Sequence, residues 1–169
     1  MDPILVLARL LHVGLGVFWA GTAIFIAAYL NPAMTDAGPD GAKVGLGLIG
    51  RGFLNVFPAA AIITVLSGLY LLGRAASGTP GYMGTPPGIA YSIGMLSALG
   101  GLFVGLTRVR PAMVRIGALA PTIGTAPAAD RERIVAEVNE LRGRAMRGGR
   151  AVAWMLAITV ATMAVGRYL

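Results

Sequence analysis

The chain has 169 residues, of which 56% are apolar and 12% charged, with a mean hydropathy of +0.75 and a net charge of +7. That balance excludes an ordinary soluble domain, and the length leaves room for a single domain, residues 1–169. Without cysteine, disulfides, thiolate metal sites and thiol catalysis are excluded as well.

Four apolar stretches, about residues 4–30, 54–72, 89–106 and 151–166, organise the chain. Each is at or near the ~20 residues with which a helix crosses a hydrocarbon core. The fourth is the shortest, and Arg150 and Arg167 extend it by snorkelling. Span one opens at Pro3, a residue suited to a first helical turn, and is expected to end near Asn31-Pro32, since proline disfavours helical geometry before it. It lacks a basic leader segment and its apolar run is long for a signal peptide, so it reads as a retained span.

Residues Thr35–Lys43 read as a polar turn. Val44–Phe53 is apolar, glycine-rich and too short to span, which suits the inner membrane interface. Span two contains Asn55, Phe57-Pro58, Thr64, Ser67, Gly68 and Tyr70. The loop Ala75–Gly88, with three prolines and four glycines, is expected to be irregular and ordered by docking. Ser97, Gly101 and Gly105 in span three, and Ala153, Ala157 and Ala161 in span four, form small-residue stripes of the kind that lets membrane helices approach closely.

Between spans three and four, Val109, Met113, Ile116 and Leu119 make one helical stripe, and Ile134, Val138, Leu141 and Ala145 a second. Arg133–Glu137 and Glu140–Arg144 are i,i+4 pairs on the solvated side. Gly148-Gly149 is the expected hinge into span four. The whole is therefore expected to be all-α: an integral membrane, antiparallel four-helix bundle with an amphipathic cytoplasmic helical hairpin over residues 108–149. Of fourteen Lys and Arg residues, nine lie between Arg108 and Arg150, and Lys43 and Arg51 share their side. Arg9, Arg74 and Arg167 fall on the other. This asymmetry places the hairpin side in the cytoplasm and both termini outside. It also suits anionic lipid headgroups. Nucleic acid is not an expected partner, because the basic segment has no aromatic residue for bases to stack on.

Candidate chemistry is sparse. The spans contain no Asp, Glu or Lys, so the intramembrane carboxylate of proton-coupled transporters and pumps is missing. No phosphate loop, dinucleotide fingerprint or metal-ligand spacing occurs. These absences lean away from an enzyme and assign no catalytic residue. The single histidine, His12, lies about three turns into span one, on a face with Ala8, Arg9, Gly16 and Trp19. Buried in lipid it must find a partner. One option is structural, a bond to Ser92, Tyr91 or a neighbouring backbone carbonyl. The other is axial ligation of haem b, the only metal role open to it, with a flat gap beside Gly16 and Trp19. Met95, Met155 or Met163 would be the second ligand, and Arg9, Arg74 and Arg167 would lie near the propionates.

Leu10-Leu11-His12-Val13, Phe18-Trp19-Ala20-Gly21 and Asn31-Pro32 resemble the first helix of a bacterial group. That group includes copper-resistance D-type membrane proteins, the N-terminal region of membrane urate oxidase and the four-helix membrane protoporphyrinogen oxidase. With Ile63-Thr64-Val65-Leu66-Ser67-Gly68-Leu69-Tyr70-Leu71, the chain more closely resembles small uncharacterised four-helix bacterial membrane proteins. The resemblance implies a four-helix fold in the bacterial inner membrane and haem binding at His12. Three functional expectations follow. The first is an accessory or scaffold subunit without catalysis, packed with other membrane subunits or as a homo-oligomer. The second is a b-type haem redox protein centred on His12. The third is a carrier or sensor of an apolar molecule such as a lipid or quinone, in a pocket lined by Trp19, Met95 and Tyr70.

Overall fold

The structure, a computed structural model, describes residues 2–169. It is 89% helical, with no strand among these residues. Five helices follow one another: α1 (Pro3–Asp36), α2 (Pro39–Gly50), α3 (Phe53–Ser77), α4 (Pro86–Thr122) and α5 (Ala128–Gly166). All but α2 are long and apolar enough to cross a membrane. The four long helices form a bundle in which α1 lies between α3 and α5, and α4 between the same two. Leu10, Val17, Leu96 and Trp154 are among the large apolar side chains that the bundle leaves exposed, as a surface solvated by lipid requires.

Local signals explain where the helices start. Asp2 caps α1 by accepting from the backbone N–H groups of Ile4 and Leu5. Thr85 caps α4 in the same way through Gly88, with Pro86 in its first turn. The connection before α4 closes on itself at Gly88, whose backbone packs directly on the Tyr82 carbonyl. Burial there, and the nearby Tyr91, push the Tyr82 phenol above its ordinary range.

Three expectations about this framework need correcting. First, α1 does not end at Asn31-Pro32. It widens into a π-helical turn over Ile26–Leu30, where the Asn31 N–H donates to the Ile26 carbonyl, and then continues to Asp36. Proline lacks an N–H and crowds the carbonyl four residues back, and the wider turn accommodates both defects. The polar turn is accordingly shorter than expected. Only Ala37 and Gly38 separate α1 from α2, whose first turn begins at Pro39.

Second, Gly148-Gly149 is not a hinge, because α5 runs unbroken through it. Gly148 is buried, and a Cβ there would stand 2.9 Å from Val109 Cγ2, so its bareness lets α4 and α5 touch. Gly149 faces open space. Gly148→Ala is therefore expected to destabilise by about 1–2 kcal/mol. Gly149→Ala is expected to stabilise by up to about 1 kcal/mol through helix propensity. Unfolding curves in mixed micelles check this, and equal effects at the two glycines would restore the hinge.

Third, the small-residue stripes hold only in part: Ser97 and Gly101 of α4 meet α5 and Ala153 is buried, but a Cβ on Gly105 would meet nothing within 4 Å. The α4–α5 seam uses Gly94, Ala98 and Gly101 against Val152, Leu156 and Thr159, whereas Ala161 is exposed. Ser97 Oγ donates to the Met155 carbonyl at 2.8 Å, and Thr159 Oγ1 to the Gly94 carbonyl at 3.1 Å. These bonds cross the seam only because the glycines admit close approach.

The hairpin between spans three and four is present, and its arms are extensions of α4 and α5 themselves. Ile116, Ile134 and Val138 form its core, with Met113, Leu119 and Leu141 packed around them. Its ion pairs differ in part from expectation. Glu140–Arg144 forms at 2.9 Å, but Glu137 pairs across the hairpin with Arg115 at 2.9 Å, and Arg133 turns to Asp130 at 3.1 Å. A cross-hairpin partner and an upstream carboxylate were both closer than the expected Arg133–Glu137 geometry.

Candidate functional site: a tethered histidine and a cavity

His12 is held between α1 and α3. Its Nδ1 donates to the Thr64 backbone carbonyl at 2.8 Å. A carbonyl oxygen only accepts, so Nδ1 carries the proton, and in the neutral ring Nε2 holds the lone pair. The ring's Cε1–Nδ1 edge lies against Gly68, one turn beyond Thr64. A Cβ on Gly68 would stand 2.6 Å from His12 Cε1 and 3.0 Å from Nδ1. Met95 Cε meets the same notch at 3.4 Å. Among the three structural partners expected for His12, a backbone carbonyl is the one found. Ser92 instead bonds the Gly88 carbonyl of its own helix.

Of the residues expected around a haem, only Met95 joins His12. The side of Gly16 facing α3 is taken by the Thr64 methyl, 3.4 Å from where a Cβ would stand. Trp19 is 3% exposed and packs into the central core with Ala61, Ala98, Val152 and Leu156. Arg9 is exposed, Arg74 Nη2 lies 3.6 Å from Asp2 Oδ2, and Arg167 stacks on Tyr168 at 5.0 Å. Side chains occupy the gaps beside Gly16 and Gly68 between α1 and α3, and these contacts do not fit the flat haem b slot expected there.

Space is found at the other end of the bundle. A cavity of about 810 Å³ opens below Trp19, bounded by the second half of α1, α2, the start of α3 and the middles of α4 and α5. Its walls are mostly apolar, with Asn31, Thr35, Arg110, Asn139 and Arg142 as polar exceptions. A second cavity of about 300 Å³ lies between α1 and α5, walled by Ala27, Asn31, Pro32, Met146 and Arg150, and shares three of these with the first. Trp19 lines the main cavity as expected, but Met95 and Tyr70 do not. Met95 is buried beside His12, and Tyr70 is exposed on α3.

The cavity exists because two helices bulge and one short helix lies across the gap. Opposite the π turn of α1, α4 has its own over Gly105–Val109, closed by the Arg110 N–H donating to the Gly105 carbonyl. Each wide turn is followed by the same pattern: Asn31-Pro32-Ala33-Met34 in α1 and Arg110-Pro111-Ala112-Met113 in α4. Asn31, Met34, Arg110 and Met113 all line the cavity. π bulges of this kind concentrate at functional sites. The repeated Pro-Ala-Met was visible in the sequence and is the signal that would have located the site.

Arg110 is positioned by a proline on another helix. Pro58 lies inside α3 and has no N–H to offer the Leu54 carbonyl. Arg110 Nε donates to that carbonyl at 3.2 Å, and its Nη2 to Asn55 Oδ1 at 3.3 Å. The floor is α2, bracketed by Gly38 at φ +57° and Gly52 at φ +80°, conformations that favour glycine. Its first turn packs Gly41 directly on the Met34 carbonyl, and near its end Ile49 meets Gly117 of α4. No His, Asp or Glu cluster able to hold a metal occurs among the described residues. No protein-family model, no curated protein and no solved structure matches the chain.

Proposed function

We propose that this is a four-span protein of the bacterial inner membrane that binds an apolar or amphipathic small molecule, of the lipid or quinone class, between its helices. The cavity of about 810 Å³ carries this reading. Its size is within the range of ligand sites, ~300–1,000 Å³, and like them it is apolar with a few convergent polar groups. The absence of carboxylates from the spans fits passive binding better than proton-coupled transport.

Two further features support the placement in the membrane. Pairs in contact run in opposite numerical order, Gly94 with Met163 and Gly148 with Val109, as antiparallel neighbours do. The basic excess around the hairpin favours a cytoplasmic position for it and outward-facing termini. The exposed apolar side chains are accounted for by lipid, and they do not call for a further subunit.

Mass spectrometry of the protein released from mild detergent tests this reading. One co-purifying amphiphile per chain is expected. It is expected to be lost in Gly105→Phe, which places a ring where a Cβ meets nothing within 4 Å and the cavity is open. A bare chain, or the same ligand retained in Gly105→Phe, would contradict it.

A further inference from the structure

The charges around the two cavities narrow the ligand class, an inference that rests on the binding reading above. Among the described residues, no Asp or Glu lines either cavity. The arginines do: Arg110 and Arg142 border the larger one, and Arg150 the smaller. None of the three has a carboxylate within 4 Å among the described residues, whereas Arg115, Arg133 and Arg144 on the same hairpin each have one. Arg110 is also held in place, by the Leu54 carbonyl and Asn55, so its remaining N–H groups are pre-oriented. Guanidinium groups without a counter-charge, next to an apolar chamber, complement an anion attached to a hydrocarbon chain.

The dimensions agree with one chain. Trp19, with Ala61 and Val152 of the central core, closes the far end. Asn31 lies twelve residues further along α1, about 18 Å at 1.5 Å per residue, which suits a single acyl tail. The smaller cavity between α1 and α5, bordered by Arg150, adjoins the chamber and shares Ala27, Asn31 and Met146 with it. We infer that the ligand is a single-chain anionic amphiphile, such as a fatty acid or an anionic lysolipid. Its head sits among Arg110, Arg142 and Arg150, its tail points toward Trp19, and it enters from the membrane between α1 and α5.

The chain has two tryptophans, which makes the test direct. Trp19 is 3% exposed at the end of the cavity, whereas Trp154 is 72% exposed on the outer surface. Trp154→Phe protein in phosphatidylcholine nanodiscs is titrated with dibromostearate or its methyl ester at pH 8.5, and Trp19 quenching is followed. Trp19→Phe protein, reporting through Trp154, supplies the unsaturable background of partition into lipid.

Saturable quenching of Trp19 is expected, with the acid half-saturating at a concentration roughly tenfold lower than the ester, the scale of one charge-assisted hydrogen bond. Combining Arg110→Gln, Arg142→Gln and Arg150→Gln should bring the acid to the ester's value. Acid and ester saturating alike would overturn the anionic head while leaving the binding reading intact. An acid preference that survives the three substitutions would overturn the arginine site. Quenching that never saturates above background would overturn both.

Discussion

Gly68→Ala is expected to be among the most destabilising single-methyl additions in the bundle. The new Cβ would stand 2.6 Å from His12 Cε1 and 3.0 Å from Nδ1, and the imidazole cannot retreat without breaking its bond to the Thr64 carbonyl. Overpacking of this kind costs about 2–3 kcal/mol, more than the ~1 kcal/mol that alanine gains over glycine in a helix. His12→Ala alone should cost about 1–2 kcal/mol for the lost hydrogen bond and the vacated volume. In the double variant the added methyl enters the space the ring has left, so the two costs should fall short of additivity by about 1–2 kcal/mol. Denaturant unfolding in mixed micelles measures all four corners of the cycle. Strict additivity would show that the two residues do not share the notch.

Gly41→Ala should act on the cavity and spare the bundle. Gly41 is buried, and any Cβ on it collides with the Met34 carbonyl, which is backbone and cannot swing aside. α2 must then lift from the end of α1, pivoting where Gly38 and Gly52 already hold positive φ. The central core around Trp19, Val65 and Leu156 contains no residue of α2, so overall unfolding should shift by less than about 1 kcal/mol. Ligand retention should fall roughly tenfold or more, because a wall of the chamber is lost. Limited proteolysis should cut near residues 37–52 faster than in the parent protein. Unchanged retention with α2 newly cleavable would show that α2 borders the cavity without closing it.

Residue chemistry alone determined much of the fold. Hydrophobic length identified four helices long and apolar enough to cross a membrane, and a 3.6-residue period identified the hairpin stripes that meet at Ile116, Ile134 and Val138. Both signals are local, because an apolar helix must bury or lipidate its surface wherever it is placed. His12 was legible for the same reason: a lone polar ring in an apolar helix has to be bonded, and a backbone carbonyl is one of few groups there that can accept.

Tertiary structure decided what local rules cannot reach. Asn31-Pro32 read as a helix end, yet packing keeps α1 helical by opening a π turn that alone would be less favourable than stopping. Gly148-Gly149 read as a hinge, yet only the neighbour's position distinguishes the glycine against Val109 from the one facing open space. The cavity, too, is collective. It needs two bulged helices, a proline on α3 that releases a carbonyl for Arg110, and α2 lying across the gap. None of these is a property of one segment, because enclosed space exists only once several segments surround it.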